Sequence, residues 1–79
     1  MISKKEVFAL IANSLGVSQV GEDSSMENQS DWDSLVHLSV LIALDEATQG
    51  KAAEIGELAQ ASSVREILNL LSQNSLLSD

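Results

Sequence analysis

The sequence predicts an all-α fold, and three observations lead to it. Apolar residues recur at helical spacing near both ends of the chain. A serine followed three residues later by a glutamate precedes each of those stretches, at Ser3/Glu6 and Ser63/Glu66. Between them, Asp33-Ser34-Leu35 opens a strongly apolar run that reaches Leu44. The expected architecture is a four-helix bundle with a short third helix and a long loop between helices one and two, forming a single domain over residues 1–79.

The first helix is expected over residues 4–15. Ser3 and Glu6 can each satisfy a free amide at its start, and Val7, Leu10, Ile11 and Leu15 make one core-facing stripe. Gly16 stops it, because glycine adopts a left-handed backbone at little cost. Phe8 lies off the stripe and should be only partly covered. Residues 17–32 lack sustained periodicity and are rich in turn formers, so they read as a loop, pinned to the core by Val17, Val20 and Met26. A loop of that length in a small domain is usually functional or mobile. Its acids, with Asp33, do not match a calcium-binding loop, since the central Gly and terminal Glu are missing. Weak divalent binding by charge density is the most they suggest.

The second helix, residues 34–48, is the most informative. Asp33 is its N-cap, and Trp32 stands where a hydrophobic staple would reach His37. At 100° per residue, Val36, Val40, Ala43, Leu44 and Ala47 share one side. Ser34, Leu35, Leu38, Ile42 and Asp45 share the other, flanked by Ser39 and Glu46. A small domain covers one apolar face of a helix more readily than two. Leu35, Leu38 and Ile42 are therefore expected as an exposed docking strip beside Ser34, rimmed by acids. A short third helix over residues 53–60 would turn Ile55, Leu58 and Ala59 inward, weakened by Gly56. The last helix should begin at Val64, with Val64, Ile67, Leu68 and Leu71 as its stripe and a fraying tail from Asn74 to Asp79, where Leu76 or Leu77 can fold back.

Composition narrows the function. Without cysteine the chain has no disulfide and no thiolate nucleophile, so any thiol chemistry must be imported. The net charge is −8, and between Lys5 and Lys51 eight Asp and Glu residues stand with no Lys or Arg. That argues against nucleic acid as a ligand and for steering toward basic patches on partner proteins. Lys4 and Lys5 ahead of a short apolar run do not make a signal peptide, and no stretch approaches a membrane span. A cytoplasmic monomer that binds no membrane is expected.

The Asp33-Ser34-Leu35 triplet opening an apolar helix resembles the acyl carrier protein family. So do the chain length, the acidity, the Val7, Leu10, Ile11, Leu15-Gly16-Val17 pattern and the terminal Ser63-Val64 helix. The resemblance implies that Ser34 carries covalent 4′-phosphopantetheine from coenzyme A, with Asp33 and Leu35 beside it. It also implies an acyl or aminoacyl group held as a thioester, and a partner-reading face made of Trp32, Leu35, Leu38, Ser39, Ile42, Asp45 and Glu46. The implied partners are a phosphopantetheinyl transferase, a loading ligase and acyl-transferring enzymes. Trp32 stands where the family often has a small residue, and the second helix has few early acids, which is nearer to stand-alone carriers of specialised or surface-polysaccharide pathways. Cargo is expected near Ala43, Ala47 and Ala59, where side chains are small. Two rivals are an unmodified acidic interaction module and a hydrolase built on Asp33, Ser34 and His37. The latter lacks a glycine-rich elbow and further oxyanion donors.

Overall fold

Three α-helices carry the chain in the computed structural model, which describes residues 1–78. They are α1 (Lys4–Leu15), α2 (Ser34–Ala47) and α3 (Val64–Gln73). Two successive 3-10 turns, Ala52–Glu54 and Gly56–Gln60, lie between α2 and α3. The all-helical expectation holds, and α1 has the bounds expected of it. The third element differs: instead of a short α-helix the chain forms two tighter turns, interrupted at Ile55, where φ −96° and ψ 89° leave helical geometry. Ile55 and Leu58 still face inward, but Ala59 is exposed.

Both capping signals act, in different ways. At α1, Ser3 accepts from the Glu6 amide and the Glu6 carboxylate accepts from the Ser3 amide, closing a full box. Gly16 ends the helix at φ 75°. At α3, Ser63 accepts from the Glu66 amide, but the Glu66 carboxylate turns to Ser62, accepting from its hydroxyl at 2.9 Å and its amide at 3.3 Å. The Ser62 hydroxyl first, then its amide, hold the exposed Glu66 carboxyl below its ordinary value of 4.5. A lowered folded-state pKa favours folding at pH values above the unfolded carboxylate's, and that contribution fades as pH falls through the folded value. Glu66→Gln should therefore lower the melting temperature at neutral pH, and melts at descending pH should see the gap to the native chain shrink from about pH 4.5 downward.

One core unites the elements. Val7 and Ile11 of α1, Val40 and Leu44 of α2, and Val64, Ile67 and Leu71 of α3 have no exposed surface, and Leu58 of the second 3-10 turn is buried with them. Thr48, also buried, ends α2 by donating to the Leu44 carbonyl at 2.8 Å. Its hydroxyl then accepts from the Ala52 amide at 3.0 Å, so one side chain both closes the helix and starts the next turn. The long loop is tied down by its backbone as well as by Val17, Val20 and Met26: the Met26 amide donates to Ser62 at 2.8 Å, and the Val64 amide donates to Ser24 at 3.0 Å.

Over the described residues the tail does not fray; it takes the other course the sequence allowed, with Leu76 and Leu77 folding back onto the core. Ile2 donates to Leu76 at 2.8 Å and Ser78 donates back to Ile2 at 2.9 Å, with Ile2 and Leu76 both in the core. The remainder of the expected tail, Asp79, lies outside the described residues.

On the surface, Lys4 meets Glu22 at 3.4 Å, and Arg65 meets Asp23 at 3.1 Å and Glu22 at 4.0 Å. Exposed pairs of this kind contribute about 0–1 kcal/mol each. Against a net charge of −8 repulsion should outweigh them, so added salt should raise the melting temperature. A fall with salt would mean that the ion pairs dominate.

Candidate functional site

Asp33 stands in extended backbone and its carboxylate accepts from the Val36 amide at 2.9 Å, so α2 starts at Ser34. Both Asp33 and Ser34 are exposed. The serine thus sits on the first residue of a capped helix, where the free amides of the opening turn favour an anion. Leu35, Leu38 and Ile42 follow along the same side at 78%, 55% and 56% exposure. With Met1 they are the large apolar side chains exposed among the described residues, so the strip expected from the sequence is present on the surface. Ser39 and Glu46 are exposed beside it. Asp45 is half-buried because its carboxylate accepts from the Ala53 amide at 3.2 Å, fastening α2 to the first 3-10 turn.

Trp32 departs from expectation. Its ring is 2% exposed and belongs to the core, so it cannot face a partner directly. The staple geometry explains why: the indole lies over His37 with ring centroids 5.9 Å apart, and its N–H donates to His37 Nδ1 at 3.1 Å. His37 is buried in turn, with Nε2 2.9 Å from the Leu58 carbonyl. An indole N–H can only donate, so Nδ1 is the acceptor and Nε2 carries the proton toward Leu58. Both ring nitrogens are occupied. The pairing of His37 with Ser34 that a hydrolase would need is therefore not available in this arrangement.

A groove of about 480 Å³ opens between α2 and the 3-10 turns. Leu41, Ile42, Asp45 and Glu46 form its α2 wall, and Ile55, Leu58 and Ala59 belong to the opposite one. Its size falls within the usual range for small-molecule sites. Of the three alanines expected to leave room for cargo, only Ala59 lines it. Ala43 and Ala47 are half-buried, turned by the helical period toward the side of Val40 and Leu44. The sequence expectation did not assign Leu41, Ala52, Ala53 or Gly56 to a groove, although all four line this one. The recurrence of small residues at 52, 53, 56 and 59 was the available signal.

Among the described residues no cluster of three or more His, Asp or Glu side chains is arranged to hold a metal ion. None of the helices is long and apolar enough to cross a membrane. Comparisons with family models, with curated proteins and with solved structures give no match to this chain.

Proposed function

We propose that this chain is a carrier of the acyl carrier protein type, bearing 4′-phosphopantetheine on Ser34 and passing an acyl or aminoacyl group between partner enzymes in the cytoplasm. The observation that carries the reading is an exposed serine on the first residue of a capped helix, followed by an exposed apolar strip on the same side. The 3-10 pair between α2 and α3 lends support, standing in for the short third helix of a four-helix carrier bundle.

The residues present fit such an arm. Ser34 offers a primary hydroxyl on a rigid element, and the opening amides of α2 suit a phosphodiester. Asp33 acts on both: its carboxylate fixes the helix start, and its charge discourages the phosphate from folding back onto the surface. When attached, the arm supplies a thiol that holds the cargo as a thioester, which the chain itself lacks for want of cysteine. The chain's own part is to orient and tether, raising the cargo's effective concentration at successive active sites.

Leu35, Leu38 and Ile42 supply the apolar centre of a docking face, with Ser39, Asp45 and Glu46 at its rim. Partner enzymes, including the phosphopantetheinyl transferase and the loading ligase, would meet it with basic patches, which the net charge of −8 favours. The groove beside Ile42 gives the apolar part of a cargo a place to rest. The strip alone suits an unmodified acidic interaction module equally well, and the two readings separate on mass. Incubation with coenzyme A, magnesium and a promiscuous transferase should add one arm, mapped to Ser34 by fragmentation. An unchanged intact mass would remove the carrier reading and leave the module.

A further inference from the structure

The buried chain from Trp32 through His37 to Leu58 spans two parts of the molecule that the carrier reading uses separately. Trp32 lies two residues ahead of Ser34, at the helix start. Leu58 lines the groove on the far side of α2. His37 joins them with one imidazole, accepting at Nδ1 over 3.1 Å and facing the Leu58 carbonyl from Nε2 over 2.9 Å. Its own amide donates to Asp33 at 2.8 Å, so the same residue is fixed to the N-cap through its backbone. The Leu58 carbonyl also accepts from the Ala61 amide at 3.2 Å, which carries the link to the end of the second 3-10 turn.

We propose that His37 is a positioning residue: as the neutral Nε2–H tautomer, locked by the Trp32 indole, it makes the Ser34 end of α2 and the Leu58 wall of the groove move as one unit. Closure of the groove then reports on the helix start, and a cargo entering the groove shifts the base of the arm. Only the significance of Ser34 rests on the carrier reading; the link itself does not.

The test uses the full, unmodified chain. Imidazole nitrogen-15 shifts at neutral pH should show His37 Nδ1 as the unprotonated acceptor and Nε2 as protonated. In His37→Leu, which fills the space but removes both bonds, hydrogen exchange should rise roughly tenfold at two separate places. These are the amides of Val36 and residue 37 at the helix start, and those of Leu58 and Ala61 in the 3-10 turn. The Ile67 amide of α3 should be unaffected.

His37→Gln keeps an acceptor and a donor and should restore most of the protection at both places. A merely space-filling role predicts the reverse order, with leucine the better replacement. If His37→Leu does not fold, Trp32→Phe removes the indole donor alone: the Leu58 carbonyl keeps the proton on Nε2, and exchange should still rise at both places because the linking ring has lost its anchor at the helix start. A native Nδ1–H or doubly protonated ring, acceleration at one end only, or glutamine no better than leucine would each overturn the proposal. Failure of the transferase to modify Ser34 would sink the carrier reading and leave these readouts standing.

Discussion

Ser34→Ala should abolish attachment of the proposed arm and with it any thioester-dependent activity, while the domain should melt within about 0.5 kcal/mol of the native chain. The two halves of that result have separate causes. Loss of the hydroxyl removes the one oxygen at the start of α2 that is both exposed and a primary alcohol, and Asp33, Leu35 and Val36 have nothing to replace it. The fold is indifferent because Asp33, not Ser34, caps the helix, and alanine is a better helix former than serine. Intact mass after transferase treatment and a thermal melt of the same sample read both. Modification persisting in Ser34→Ala would move the attachment point elsewhere. A collapsed melt would give Ser34 a structural role the cap geometry does not supply.

Trp32→Ala should have the largest effect on stability of any single truncation beside the site, although Trp32 stands next to the most exposed part of the chain. Emptying a fully packed indole site costs about 3–5 kcal/mol. It also leaves His37 Nδ1 buried without its donor, at about 1–3 kcal/mol more. A core in a domain of this size supplies only about 3–5 kcal/mol in total. The variant should therefore show no cooperative melt, whereas Leu35→Ala, three positions on and 78% exposed, should melt like the native chain within about 0.5 kcal/mol. Circular dichroism on the pair is sufficient. A cooperative Trp32→Ala domain would mean that the ring is less essential to the core than its burial implies.

The helices were legible because their signals are local. Ser3, Glu6 and Gly16 bound α1 by hydrogen bonds within a turn of the chain, and the stripe of Val64, Ile67, Leu68 and Leu71 needs only its own period to be seen. The exposed side of α2 was legible by subtraction, since a small core cannot cover two apolar faces. Trp32 is a staple, as its spacing implies, but one that lies in the core and not on the partner-facing surface. Spacing brings the indole to His37, yet only the Leu58 carbonyl, 21 residues further on, shows that the pair lies beneath the surface. The 3-10 turns were missed for a related reason. Apolar spacing over residues 53–60 suits a helix, but Thr48 and Asp45 tie the Ala52 and Ala53 amides to the end of α2, and the chain leaves helical geometry at Ile55, just before Gly56. Leu76 was open to folding back by its apolar character, but Ile2 carries no periodic signal, and only its pairing with the tail puts it in the core.

That pairing of the ends bears on how the domain can be joined to anything else. Sequence added ahead of Ile2 and sequence added behind Ser78 would set out from neighbouring points on one edge. Because Ile2 and Leu77 pair in parallel, the two extensions would leave in opposite directions, and a pull on both would load the hydrogen bonds among Ile2, Leu76 and Ser78 along the pair before any helix felt it.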